Sequence, residues 1–294
     1  MYCFLGRLFV LLELLTLIRA WGKEGHYATC KLAQGLLTEE ASAAVKALLP
    51  EYAKADLASV CSWPDEIKHN YHWHWTAALH YVDTPDFRCN YDYCRDCHDS
   101  YKHKDMCVTG AIHNYSSQLM TYGNSVSEQH YNLTEALLFL SHFFGDIHQP
   151  LHVGFLGDLG GNTIIVRWYR RKTNLHHVWD NMIIESAMKT FYNSDLTVMI
   201  EAIQRNITEN WFSDISLWKN CSSSYKACPD PYASESIKLA CNYAYRNATP
   251  GTTLSDDYFL SRLPIIEKRL AQGGVRLAST LNRIFSTKPL IAQA

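Results

Sequence analysis

The stretch Thr134-EALLFLSHFFGDIHQPLH-Val153 sets three potential metal ligands into an otherwise apolar run. Its length and apolar content predict a buried helix. On a helix, His142 and Asp146 lie four residues apart, so both side chains point from one face and can reach one ion. An unpartnered polar group among apolar neighbours is costly, and a cation would satisfy both side chains at once. The stretch therefore predicts a central helix that carries half of a metal site.

The same spacing recurs further along the chain, where His176 and Asp180 lie in the segment LHHVWDN from 175 to 181. One such pair is more often structural than metal-binding, but two pairs flanking His152 favour a metal centre. Imidazole and carboxylate ligands together are typical of zinc. We expect the other histidines, including His148 and His177, to be structural or exposed. The candidate ligands are His26, Asp65, His80, His142, Asp146, His152, His176 and Asp180.

The composition allows a sizeable core in one large domain or two small ones, since 47% of the 294 residues are hydrophobic. The net charge argues against a protein that binds nucleic acid through a broad basic surface. Here 27 basic and 29 acidic residues give a net charge of −2, whereas a protein that holds nucleic acid through a broad basic face is far more basic. If this chain binds phosphate, the positive charge must come from a source other than Lys and Arg.

Residues 1–20 have the pattern of a secretory signal peptide. Arg7 precedes an apolar run from Leu8 to Ile18, and Ala20 offers a small residue for cleavage before Trp21. The alternative is a buried N-terminal helix. No later apolar run is long enough to cross a bilayer. We therefore expect cleavage after Ala20 and a secreted or vacuolar product without a membrane anchor.

The cysteines agree with export. Ten are present, and nine remain when Cys3 in the signal is left out. In an exported chain they predict disulfides, with one cysteine unpaired because the number is odd. The CRDCH segment from Cys94 to His98 has the look of a zinc knuckle but lacks a matching second pair, so we favour disulfides there. Glycosylation sites are predicted at Asn114, Asn132, Asn206, Asn220 and Asn247.

The pattern of the whole chain predicts a mostly helical fold with one small hairpin. The segment TIIVRWYR from Thr163 to Arg170 is the best strand candidate, and Trp73 to Asp86 is predicted to be extended. A cysteine-rich loop should follow from 87 to 107. Asn132 and Glu135 have capping-box spacing. Residues 21–37 are predicted to be a loop that leads into an amphipathic helix. Further helices are expected near 38–50, 56–60, 62–68, 110–122, 132–147, 175–191, 195–217, 232–246 and 255–285.

No repeat or linker divides the chain. One compact domain of residues 21–286 is the simplest interpretation, and residues 287–294 form a C-terminal tail that is open to removal. Nothing in the sequence implies a stable protein partner, so we expect a monomer.

Five motifs resemble, in order, those of a known family. They are WGKEGH (21–26), SWPDE (62–66), HYVDTPD (80–86), HFFGDIHQPLH (142–152) and HHVWDN (176–181). Their order is similar to that of the secreted single-strand-specific zinc nucleases of plants and fungi, the S-one/P-one family. The plant bifunctional nucleases, which cut both RNA and DNA, resemble this chain most. The resemblance covers the whole predicted mature chain and every metal position.

The resemblance implies three zinc ions in a cleft. One would be held by Asp65, His80, His142 and Asp146, and a second by His152, His176 and Asp180. The third would be held by His26, by Asp146 as a bridge, and by the amine and carbonyl oxygen of Trp21 once the signal is cleaved. These cations would supply the positive charge that the composition lacks.

The resemblance also implies catalytic roles. A hydroxide bridging the ions that share Asp146 would attack phosphorus and leave a 5′-phosphate product, with Asp65 among the catalytic ligands. Lys68 would lie beside the scissile phosphate, although a solvated helix Lys is the alternative. The implied disulfides are Cys30 with Cys61, Cys97 with Cys107, and Cys221 with Cys228.

By the same resemblance, Tyr81 would stack on a base whose edge bonds to Asp83 and Asn181. Stacking tolerates any base but requires an unpaired one, so single-stranded DNA and RNA are the expected substrates. Two alternatives remain. Bacterial zinc phospholipases C are similar in cluster and fold and would release phosphocholine, and a secreted zinc-binding glycoprotein without catalysis would hold its zinc in closed coordination.

Overall fold

Helix α6 (Leu133–Asp146) lies at the centre of the fold, and every residue from Ala136 to Asp146 is buried. Its first turn contains the predicted capping box. Asn132 Oδ1 accepts the Glu135 N–H at 3.2 Å, and Asn132 Nδ2 donates to Glu135 Oε1 at 2.6 Å. The first bond satisfies one N–H that a helix start leaves unpaired, and the second joins the two side chains. Burying one large apolar side chain of α6 contributes about 1.5–3 kcal/mol.

This computed structural model describes residues 21–123, 131–222 and 226–286. The predicted signal peptide and C-terminal tail lie outside the described residues. None of the described helices has the length and apolar content needed to span a bilayer.

Three long helices surround α6. Helices α1 (Lys23–Gln34) and α5 (Val108–Leu119) pack on it, and α12 (Asp256–Phe285) packs on both α1 and α6. Helices α1 and α12 approach closely because Gly274 has no side chain. A Cβ at that position would lie 2.6 Å from Leu32 Cβ, well inside van der Waals contact.

Each predicted helical region contains an observed helix. The remaining α-helices are α2 (Glu39–Leu48), α3 (Trp63–Ile67), α4 (Tyr93–Asp96), α7 (Leu175–His177), α8 (Ile183–Phe191), α9 (Leu196–Glu209), α10 (Phe212–Lys219) and α11 (Pro229–Leu239). The 3-10 helices are Glu51–Ala53, Leu57–Val60, Tyr71–His80 and Pro150–Val153, and the π-helical turns are Val178–Met182 and Ala240–Ala244.

The predicted hairpin is confirmed. Strands β1 (Ile165–Trp168) and β2 (Arg171–Asn174) pair antiparallel, and β2 leads directly into α7, which carries His176. A third strand, β3 (Thr253–Leu254), pairs in parallel with the other side of β1. The sequence did not indicate β3 because two residues are too few to show an alternating pattern.

The extended conformation predicted from Trp73 onwards was wrong as far as His80, because Tyr71–His80 is a 3-10 helix. Its start is capped by Asn70, whose side chain accepts the His72 N–H at 3.2 Å. Buried Thr76 and Leu79 and half-buried Trp73 are spaced by three residues, which matches the three residues per turn of this helix. Aromatic residues have a high intrinsic propensity for strand, but here packing against α5 and α6 determines the helical conformation.

Four disulfides cross-link the described residues: Cys30–Cys61, Cys89–Cys241, Cys97–Cys107 and Cys221–Cys228. Three are the pairs that the resemblance implied. Cys89–Cys241 is additional and joins positions 152 residues apart. Closing a loop of that size stabilises a fold by roughly 5 kcal/mol in the chain-entropy model. Cys94 is exposed and unpaired, so it is the odd cysteine that the sequence predicted. Because Cys97 is in a disulfide, the CRDCH segment does not form a zinc knuckle.

Candidate metal centre

The fold gathers the eight predicted His and Asp ligands from seven elements. The contributing elements are α1, α3, α6, α7 and the two 3-10 helices Tyr71–His80 and Pro150–Val153, with Asp180 in the π-helical turn that follows α7. Their ligand atoms form three groups, each spanning less than 4.8 Å: His26, His142 and Asp146; Asp65, His80 and His142; and His152, His176 and Asp180.

Asp146 lies between two of these groups. Its Oδ2 is 3.0 Å from His80 Nδ1 and 3.2 Å from His142 Nε2, whereas its Oδ1 is 3.3 Å from His26 Nε2. Asp65 Oδ1 completes the first side at 3.6 Å from both His80 Nδ1 and His142 Nε2. A carboxylate whose oxygens face different imidazoles is placed to bridge two ions.

His26 lies directly against α6, stacked on His142 with ring centroids 3.8 Å apart. This approach depends on Gly145, because a Cβ there would lie 2.6 Å from His26 Nδ1. Trp21 is fully buried beside them, and the next residue, Gly22, donates its N–H to the carbonyl oxygen of Asp180 at 3.0 Å. The chain around Trp21 therefore lies against the ligand cluster.

The third group brings two imidazoles and one carboxylate together in an arrangement that suits a cation. His152 Nδ1 donates to the His80 carbonyl and His176 Nδ1 to the Gly160 carbonyl, both at 2.7 Å. Each imidazole therefore presents a lone pair at Nε2 when neutral. These two Nε2 atoms lie 3.2 Å apart, with Asp180 Oδ2 at 3.3 Å from His176 Nε2. Two facing lone pairs repel unless a positive charge lies between them.

Burial sets the protonation of the histidines. It lowers the pKa of His142 and His176 to about 4, and the pKa values of His80 and His152 fall well below their ordinary value for the same reason. Burial also lowers the pKa of His26. Neutral imidazole is the form that binds a metal.

Burial has the opposite effect on the pKa values of the carboxylates. Burial raises the pKa of Asp146 to about 7 and raises that of Asp180 well above its ordinary value. Burial also acts to raise the pKa of Asp65, but His142 and Lys68 oppose it and the pKa falls to about 2. A bound cation would favour the ionised form of Asp146 and Asp180, whereas Asp65 is ionised beside Lys68.

Several buried polar atoms of the cluster have no hydrogen-bond partner within the described ranges. Three of them face the other candidate ligands: His26 Nε2 and both carboxylate oxygens of Asp146. Each such atom costs about 1–3 kcal/mol if nothing satisfies it. Imidazole and carboxylate groups are ligands of zinc, so the residues present fit divalent metal ions.

Lys68 brings a positive side chain into the same site. It is 5% exposed, and its Nζ lies 2.6 Å from Asp65 Oδ1. The alternative of a solvated helix Lys is wrong, because the ammonium is buried beside a ligand.

A small pocket of about 60 Å³ adjoins the third group. Tyr81 and Asp83 line it together with His152, His176 and Asn162. Burial raises the pKa of Asp83 to about 6. Asn181 is not among the lining residues. The Asn181 side chain instead lies against Gly22. A Cβ on Gly22 would lie 2.0 Å from Asn181 Nδ2.

A family model described as S1/P1 nuclease matches residues 21–286, a span that contains every residue of this centre. The chain belongs to the S1/P1 nuclease family. The assignment supports a nuclease, and so a hydrolase. The predicted family resemblance is thereby confirmed.

Similar proteins come from plants and fungi. Endonuclease 4 of Arabidopsis thaliana is 70% identical over 285 residues, which cover 97% of this chain and 95% of that protein. Nuclease P1 of Penicillium citrinum is 31% identical over 278 residues, covering 91% of this chain and 99% of that protein. Nuclease S1 of Aspergillus oryzae is 30% identical over 288 residues, covering 94% and 95%.

Sequence reasoning missed two residues of this family member's site. Asn162 lines the pocket, and Gln149 donates a hydrogen bond to Asp180. The position of Gln149 between Asp146 and His152 was a usable signal. Asn162 follows two glycines and carried no signal of its own. His148 is structural, as expected, since it is buried and accepts a hydrogen bond from Arg276.

Removing metal should destabilise the whole protein, because the candidate ligands come from elements spread between His26 and Asp180. We expect dialysis against a strong chelator to lower the melting temperature by on the order of 10 °C. Differential scanning calorimetry with and without added Zn²⁺ measures this. An unchanged transition after verified metal removal would show that no ion contributes to the fold.

Proposed function

We propose that this protein is a secreted, zinc-dependent endonuclease that hydrolyses single-stranded DNA and RNA and leaves 5′-phosphate ends. The observation that carries the proposal is the presence of three buried ligand groups, two of which meet at the carboxylate of Asp146. The family assignment and the relatives named as endonucleases support the nuclease over the phospholipase C alternative.

Three zinc ions are proposed, with the ligand sets that the resemblance implied. Asp65, His80, His142 and Asp146 would hold the first ion, and His152, His176 and Asp180 the second. His26 and Asp146 would hold the third together with the amine and carbonyl oxygen of Trp21. When bound, the ions supply Lewis acidity that polarises the phosphate and activates water.

The chain's own residues bind and orient the substrate. Lys68 carries a positive charge beside Asp65, where it can contact a phosphate oxygen. Tyr81 offers a ring for stacking, and Asp83 accepts hydrogen bonds from the amino group of a base. Asn181 is proposed to bond a base edge as well. A base still paired in a duplex cannot enter this pocket, so single strands are preferred.

Processing and export belong to the same proposal. Cleavage after Ala20 would expose the amine of Trp21, so the precursor would lack one complete metal site. The four disulfides agree with an oxidising compartment. Among the five glycosylation sites, Asn114, Asn132, Asn220 and Asn247 are exposed, and Asn206 is partly exposed. We propose a monomeric enzyme.

The deciding experiment uses the processed, glycosylated protein. We expect three zinc ions per chain by elemental analysis, and much faster cleavage of denatured DNA and RNA than of duplex DNA. A phosphatase specific for 5′-phosphates should release phosphate from the products. Release of phosphocholine from phosphatidylcholine instead of nucleotides would favour the phospholipase, and bound zinc without either activity would favour a storage protein.

The base pocket gives a selective prediction for Tyr81→Ala. Loss of stacking should lower kcat/KM on single-stranded DNA by about 5- to 150-fold, the equivalent of 1–3 kcal/mol. Hydrolysis of a base-free phosphodiester such as bis(4-nitrophenyl) phosphate should change little. Tyr81→Phe keeps the ring and should resemble the wild type, and Tyr52→Ala is a matched exposed-tyrosine control. An equal loss on both substrates would contradict a base-binding role.

A further inference from the structure

Gln149 lies between two of the proposed ligands, Asp146 and His152, and is fully buried. Both ends of its carboxamide are bonded. Nε2 donates to Asp180 Oδ1 at 2.6 Å, and Oε1 accepts the Leu151 N–H at 2.6 Å. Flipping the amide would place donor against donor and acceptor against acceptor. The side chain is therefore held in one orientation, with its NH₂ group directed at Asp180.

Asp180 is held at more than one point. Gln149 takes Oδ1, and the carbonyl oxygen accepts the Gly22 N–H at 3.0 Å. The other carboxylate oxygen, Oδ2, lies 3.3 Å from His176 Nε2, whereas Oδ1 is 3.8 Å from His152 Nε2. With Oδ1 occupied, Oδ2 is the oxygen presented to an ion in this group.

The two histidines of this group are oriented by main-chain carbonyls, of His80 and of Gly160. The carboxylate is oriented by a side chain. Partners of this kind fix the direction of a ligand before the ion binds, and their loss typically weakens metal affinity by about 10- to 100-fold. Within the group, Asp180 is the ligand whose orientation a single substitution can release.

We propose that Gln149 is a positioning residue that orients Asp180 and thereby sets the affinity of the ion held by His152, His176 and Asp180. The inference rests on the proposed metal centre and goes beyond it, because it assigns control of one ion to a residue that binds neither metal nor substrate.

A purely structural role is the competing explanation, and the surroundings argue against it. The turn that carries Gln149 is also held from its other side. His148 Nδ1 donates to the Phe144 carbonyl at 2.7 Å, and Arg276 Nη1 donates to His148 Nε2 at 2.9 Å. Ser236 Oγ adds a bond to the Ile147 carbonyl at 2.5 Å. Removing Gln149 leaves these contacts in place and, apart from its bond to Asp180, removes only the bond to the Leu151 N–H at the start of Pro150–Val153.

The test compares Gln149→Met with Ser236→Ala in the processed protein. Met has a similar length and no strong donor. Ser236→Ala removes two buried hydrogen bonds, one to the Ile147 carbonyl of the same turn and one from Arg269 Nη2, without touching Asp180. Zn²⁺ binding is measured by competition with a chromophoric chelator, and melting temperatures are measured with and without Zn²⁺. We expect Gln149→Met to weaken one zinc equivalent by about 10- to 100-fold and leave the others unchanged. Ser236→Ala should lower both melting temperatures similarly and leave the zinc titration unchanged.

A double variant identifies the ion. His176→Ala should bind one zinc fewer, and adding Gln149→Met to it should cause no further weakening. A Gln149→Met titration that overlays the wild type, or a further loss in the double variant, would overturn the proposal. If His176→Ala binds as many ions as the wild type, the metal assignment under the proposed function fails instead, so the two failures are distinguishable.

Discussion

Asp146→Asn should abolish cleavage of denatured DNA while the fold is retained. The carboxylate faces His26 with one oxygen and His80 and His142 with the other, and an amide nitrogen cannot replace an oxygen ligand. The substitution therefore weakens the binding of both ions that are proposed to share this residue. We expect kcat/KM to fall by at least about 1,000-fold, since metal ions supply several kcal/mol of transition-state stabilisation.

Cleavage rates, zinc content and near-UV circular dichroism should be measured together on this variant. Asn has almost the same shape as Asp, so the dichroism spectrum should match that of the wild type. The matched control is Asp56→Asn, which removes a surface carboxylate 3.1 Å from Lys31 Nζ and should leave activity unchanged. Wild-type activity in Asp146→Asn would remove the bridging role.

One extra residue before Trp21 should have the second large effect. An unperturbed α-amine has a pKa near about 8 and can lose its proton to a metal, whereas an amide nitrogen cannot readily do so. Trp21 is fully buried, and Gly22 is anchored to Asp180, so this end of the chain is held beside the candidate ligands. We expect loss of one zinc equivalent and a fall in kcat/KM of at least about 100-fold.

The comparison requires proteins that begin at Trp21 and at one added alanine, released from the same fusion partner. Their N-termini are verified by mass spectrometry, and zinc content and cleavage of single-stranded DNA are measured. One extra residue at the C-terminal end is the control and should have no effect. A fully active extended protein would rule out the amine as a ligand.

Much of this fold could be predicted from local patterns. The capping box at Asn132 and Glu135, the apolar run of α6 and the strand pattern before Arg170 depend on neighbours within a few residues, so the sequence displays them directly. The 3-10 helix Tyr71–His80 and strand β3 could not be predicted in this way. Their backbone conformation is determined by what they pack or pair against. Intrinsic propensity disfavours the 3-10 helix and gives no indication of β3.

The same division applies to the centre. By itself the sequence determined which side chains are available: four-residue spacing puts His142 with Asp146 and His176 with Asp180, because a helix repeats every 3.6 residues. Only the tertiary structure decided that the oxygens of Asp146 face different histidines, that His152 and His176 direct their lone pairs at each other, and that Gln149 holds Asp180. Helix periodicity acts over a few residues, whereas these contacts join positions from 24 to 120 residues apart and exist only once distant helices have packed.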